Sequence, residues 1–99
     1  MLQIKKLKYQ ILLGVFNSVK MKLKEFKLIK NRQAPEICFS YEKYEGNRKF
    51  SIFTMNACKT FLASIEEKRM DKRYYAEFSE THNSVDECLF AFDSFLNAL

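Results

Sequence analysis

EICFSYEKYEGNRKFSIF, residues 36–53, is the stretch on which the reading of the fold turns. Ile37, Phe39 and Tyr41 alternate with Cys38, Ser40 and Glu42, and beyond Glu45, Gly46 and Asn47 the pattern resumes at Phe50 and Ile52. Strict alternation sends every second side chain to the same side of an extended chain. Gly46 and Asn47 supply the positive φ angles that a tight hairpin turn needs, so the stretch is expected to be a β-hairpin. Lys43, Arg48 and Lys49 lie near the turn and make its tip basic.

Downstream, Thr54 or Asn56 can cap a helix in which Cys58, Phe61, Leu62 and Ile65 form one stripe, ending in the charged run Glu66 to Arg69. A strand is expected from Arg73 to Ser79, with Tyr74, Ala76 and Phe78 on one face. Ser84 with Glu87 three residues on forms a capping box for a last helix, whose stripe is Leu89, Phe92, Leu96 and Leu99 with Cys88 and Phe95 at its margins. Upstream, Asn31 to Pro35 is a loop. Val19, Met21 and Leu23 alternate with Lys20, Lys22 and Lys24, which favours a strand with a lysine face, although Val19, Leu23 and Phe26 also fit a helix. The shift at Glu25 to Phe26 and Leu28 reads as a bulge or turn. Ile4, Leu7, Ile11 and Val15 describe an amphipathic helix over residues 1–16. The expectation is a single α+β domain over residues 1–99, an antiparallel sheet of about four strands packed with two or three helices in the order α-β-β-β-α-β-α.

Composition bounds this reading. Ninety-nine residues suffice for one core but leave much surface exposed. At 47% apolar with ten Phe and five Tyr, wholesale disorder is excluded. Two Gly and one Pro leave little material for a phosphate-cradling glycine loop. Cys38, Cys58 and Cys88 are odd in number and widely spaced, and read as small buried hydrophobes of a reducing compartment. The apolar run Ile11 to Phe16 is shorter than a signal peptide requires, and no stretch of membrane-spanning length occurs. A cytoplasmic soluble protein without integral membrane association is expected. Met21 offers an alternative start that would remove the first helix and much of the lysine cluster.

Charge is unevenly spread: +7 over residues 1–30, +3 over residues 31–75 and −5 from Ala76 onward, giving a net +5. Lysines so clustered point to a polyanionic partner, because meeting phosphates releases counterions. Chemistry is poorly provided for. His82 is the one histidine and there is no C-x-x-C, so no metal site is expected. Cys88 lies on a helix face and His82 in the loop before it, and adjacency in sequence is not triad geometry. Glu66 with Glu67 and Asp86 with Glu87 are adjacent pairs, not facing ones. No catalytic residue, no cofactor and no enzymatic activity are expected.

Basic and aromatic residues interleave from Tyr41 to Phe53 and again at Arg73, Tyr74 and Tyr75. Single-strand binders combine such residues, the cations neutralising the backbone while rings stack on bases. The candidate nucleic-acid-binding set is Lys20, Lys22, Lys24, Tyr41, Lys43, Tyr44, Arg48 and Lys49. Against it stands the plain reading that half of the rings face a core and the lysines keep a surface soluble.

Within Lys24 to Lys68, "KEFKLIKN", "EICFSYEKYEG", "RKFSIF" and "ACKTFLASIEEK" resemble a single PUR-type repeat and, more loosely, the PC4-like coactivator fold. The resemblance implies a curved antiparallel sheet followed by a helix, a sheet surface that grips single-stranded DNA or RNA, and dimerisation in which a second repeat completes the first. By position it places Lys22, Lys24, Tyr41, Lys43, Arg48 and Lys49 near nucleic acid.

Two functions follow as expectations: a binding module for single-stranded nucleic acid, or an interaction module for an acidic protein partner. Phe90 points away from Leu89 and Phe92 on the last helix, so Phe90 and Phe95 are candidates for a homodimer interface, the alternative being that they fold under their own sheet.

Overall fold

The computed structural model describes residues 20–99. Five strands, β1 (Lys27–Lys30), β2 (Phe39–Glu45), β3 (Arg48–Met55), β4 (Thr60–Lys68) and β5 (Tyr74–His82), form one sheet in chain order, and a helix, α1 (Val85–Asn97), follows. All four strand pairs are antiparallel. The expected order α-β-β-β-α-β-α is thereby corrected to five strands and one helix over the described residues. The helix expected over residues 1–16 lies outside them.

Two local misreadings account for the difference. Cys58, Phe61, Leu62 and Ile65 fit a helical stripe, but Phe61, Ala63 and Ile65 also alternate with Leu62, Ser64 and Glu66, and it is this period that the chain adopts as β4. Asn56, Ala57 and Cys58, with φ of 51°, 55° and 70°, make the left-handed turn that joins β3 to β4 where a helix cap was expected. The second misreading is the lysine-faced strand at Val19 to Lys24. There Leu23–Glu25 forms a 3-10 turn, closed by the Lys22 N–H donating to Glu25 Oε1 at 3.0 Å, and the strand begins only at Lys27.

The core forms where α1 lies on one face of the sheet. Phe50, Ile52, Ala63 and Ile65 from β3 and β4 pack against Cys88, Leu89 and Phe92 of α1, and Met21 closes one end. Phe92 stands edge-on to Phe50 and Phe78 and is stacked with Phe26. Each large apolar side chain so buried contributes about 1.5–3 kcal/mol. Ser84 caps α1 by accepting from the Glu87 N–H at 3.2 Å, while Glu87 reaches back to the Asn83 N–H at 3.1 Å. The cap read from sequence is present, although the reach-back partner is one residue earlier. The buried stripe of α1 centres on Cys88, Leu89, Ala91 and Phe92, whereas Leu99, expected within it, is exposed. Asp93 receives the backbone N–H groups of Lys20 and Met21, at 2.8 and 3.3 Å, and so ties the incoming chain to the helix.

Between β4 and β5 the register slips: Ile65 pairs with Phe78 but Glu66 pairs with Ala76, leaving Glu77 as the extra residue of a bulge. Bulges re-aim side chains, and this one turns Glu77 toward Arg48. Gly46, at φ 61°, makes the β2–β3 hairpin turn read from the sequence.

Candidate nucleic-acid interface

Residues directly opposite each other in an antiparallel pair share a face, so the register sorts every strand residue onto one side of the sheet or the other. Phe50, Ile52, Ala63 and Ile65 define the helix side. The other side is covered by no helix among the described residues. Across it run three rows set by the pairing: Tyr44, Lys49, Glu66 and Ala76; then Lys27, Glu42, Ser51, Ser64 and Ser79; then Ile29, Ser40, Phe53, Leu62 and Thr81. This second face, called open because no described helix covers it, is aromatic and charged at one end, small and polar in the middle and apolar at the other, with Ser51 and Ser40 buried within it.

Tyr44 and Lys49, both foreseen from sequence, meet at the first end. Tyr44 is 60% exposed, and the Lys49 Nζ lies 5.7 Å from its ring centroid. Glu42 organises the pair, accepting from the Tyr44 hydroxyl and from Lys49 Nζ, each at 3.4 Å. Partial burial is the largest single influence on the Lys49 ammonium and works against its charge, but Glu42 and Tyr44 together outweigh it and the ammonium is held above its ordinary pKa. Tyr74, which pairs with Lys68, completes the cluster: its ring stands edge-on to Tyr44 with centroids 6.4 Å apart. Strands are spaced by about 4.8 Å, so β2 and β5, three steps apart, are separated by roughly 14 Å. The two rings therefore converge over the intervening strands.

The turn joining β4 to β5 borders this cluster. It carries Lys68, Arg69, Lys72 and Arg73, with Met70 fully exposed at its tip. Asp71, the one acid among them, accepts from the Tyr75 hydroxyl and from the Arg73 N–H, which together hold its carboxyl below the usual range. Arg69 stacks over Tyr75 at 4.3 Å from the ring centroid. Lys68, Lys72 and Met70 were not singled out from the sequence, because the run Glu66 to Arg69 read as the end of a helix and not as one arm of a hairpin.

The remaining candidates are elsewhere. Tyr41 faces the helix side, half-buried and edge-on to Phe39. Lys43, on that same side, bonds Glu25 at 3.2 Å and Glu45 at 3.3 Å, and these carboxylates raise its pKa against the opposing effect of burial. Arg48 donates to Glu77 through Nε at 2.9 Å and Nη2 at 3.4 Å, a forked pair that raises the guanidinium and lowers the carboxyl. Lys20, Lys22 and Lys24 are exposed around the 3-10 turn, off the sheet. The structure brings together Tyr44 and Lys49 of the expected set and separates the rest from them.

Other sequence candidates have ordinary surroundings. Burial pushes the Cys88 thiol up to about 12, and its Sγ lies 4.0 Å from the Phe61 carbonyl. His82 ends β5 with Nε2 3.0 Å from Glu80 and Nδ1 3.7 Å from Glu87. Cys88 is buried as expected, but Cys58 is half-buried and Cys38 exposed. No group of His, Cys, Asp or Glu among the described residues is arranged to hold a metal ion. Phe95 packs on Phe78 of its own sheet with centroids 5.4 Å apart, and Phe90 is half-buried. No described helix is long and apolar enough to cross a membrane.

Comparison with known proteins finds no matching family model, no matching curated sequence and no matching solved structure.

Proposed function

We propose that the chain is a binding module for single-stranded nucleic acid, acting through the aromatic, basic end of the open sheet face. The observation that carries this reading is the convergence of the exposed Tyr44 and Tyr74 rings beside Lys49, with Lys68, Lys72 and Arg73 at the adjoining turn. Unpaired bases offer the π-faces that such rings stack on, and the flanking cations neutralise the phosphates. No bond is made or broken in this role. The PUR-like resemblance likewise implies a sheet surface for single strands, although the helix it implies at Phe61 and Leu62 is strand β4. A reducing, intracellular setting suits the exposed Cys38 thiol.

A second reading has its own observation. Ile29, Phe53 and Met55 are exposed at the other end of the same face, a small apolar patch suited to a protein partner. Titration of labelled oligonucleotides separates the two. Tight binding to single strands that weakens steeply with salt supports the nucleic-acid module, whereas no binding at low salt leaves the protein-docking reading.

A further inference from the structure

We infer that Tyr44 and Tyr74 take a single unpaired nucleobase between them, so that the module recognises one base with a phosphate on either side and not an extended stacked run. The inference rests on the nucleic-acid reading above and narrows its ligand.

Stacked bases lie about 3.4 Å apart, so a ring–base–ring sandwich needs facing rings roughly 6.8 Å from centroid to centroid. The Tyr44 and Tyr74 centroids are already 6.4 Å apart, with their planes at 66°. The strands that carry them are roughly 14 Å apart, so the rings meet through the conformations of their side chains, and rotation of the exposed rings toward parallel opens the slot without moving a strand. The tyrosines come from β2 and β5, so the slot lies across the sheet, and cations stand on both of its sides. Lys49 sits over Tyr44, and Lys68 is the direct cross-strand neighbour of Tyr74. Beyond this pair the next row of the face is Glu42, Ser51, Ser64 and Ser79, which offers no ring to a second base. The next aromatic residue on the open face, Phe53, lies a further row away, in the apolar end.

The test uses the full chain and a twelve-unit abasic deoxyribose-phosphate strand, with or without one central adenine, at low salt. The single adenine is expected to raise affinity about tenfold or more, and a second adenine beside it to add less than about twofold. With five Tyr and no Trp in the chain, tyrosine emission reports the stack directly, and it is expected to be quenched by the adenine-bearing strand alone. Tyr44→Leu removes the tenfold gain, while Tyr44→Phe retains it. Equal affinity for the two strands overturns the sandwich while leaving charge-driven binding in place, and affinity that climbs with every added base overturns it in favour of a long platform. Failure of oligothymidine and both abasic strands to bind overturns the underlying nucleic-acid reading as well.

Discussion

Tyr41 and Tyr44 lie in the same strand and have opposite fates. Three residues apart, they point to opposite sides of the sheet, so Tyr41 packs near Ile52 on the helix side and Tyr44 stands in solvent on the open side. Tyr44→Ala is therefore expected to weaken single-strand binding about five- to tenfold with an unchanged melting temperature. Tyr41→Ala should do the reverse, lowering stability by about 2 kcal/mol while sparing the open face. Anisotropy titrations paired with thermal melts check both. Ser51 gives a second residue-level prediction: it is fully buried and its Oγ has no hydrogen-bond partner among the described residues. Since an unmade buried hydrogen bond costs about 1–3 kcal/mol, Ser51→Ala is expected to be neutral or stabilising in denaturant melts. The alternation that sorts Tyr41 from Tyr44 was legible in the sequence. Which of the two faces the helix would cover was not, because both carry rings and charges, and the candidate set consequently mixed residues from both.

At the scale of elements, the hairpin at Gly46 and the cap at Ser84 were legible because each depends on local chemistry, a positive φ in one case and a side-chain acceptor for a free N–H in the other. Ser84→Ala is expected to cost about 1 kcal/mol, measurable as a shift in the urea midpoint. β4 was not legible in this way, since Phe61, Leu62 and Ile65 satisfy both periods and the choice falls to tertiary pairing with β3 and β5. The bulge at Glu77 likewise left no mark in the sequence, yet it makes the forked pair with Arg48. That pair has a definite pH dependence. The Glu77 carboxyl is lowered in the folded state by Arg48, so its contribution to stability is fully present above the unfolded value of 4.5 and is lost as pH falls through the lower folded one. The contribution is roughly 1 kcal/mol at most, given the partial exposure of both groups. Glu77→Gln should lower stability at pH 7 and flatten its decline in acid, as followed by denaturant melts from pH 7 to pH 3.

For the whole molecule, the uneven charge of the chain suggested a basic surface, but folding redistributes it. Lys43, Arg48 and Lys49 are each drawn into ion pairs with Glu25, Glu45, Glu77 or Glu42. The cations that the proposed binding would add to Lys49 come from the end of β4 and the β4–β5 turn, a segment in which the sequence pattern suggested a helix end. Binding there would engage about four cations, Lys49, Lys68, Lys72 and Arg73, which corresponds to a slope of roughly −3 in log affinity against log salt for a single strand. Fluorescence anisotropy of a labelled single-stranded twelve-mer and its duplex, each titrated with the full chain at two salt concentrations, measures this directly. Preference for the single strand and a slope near that value are expected. Absence of binding at low salt, or equal affinity for the duplex, would contradict the single-strand reading.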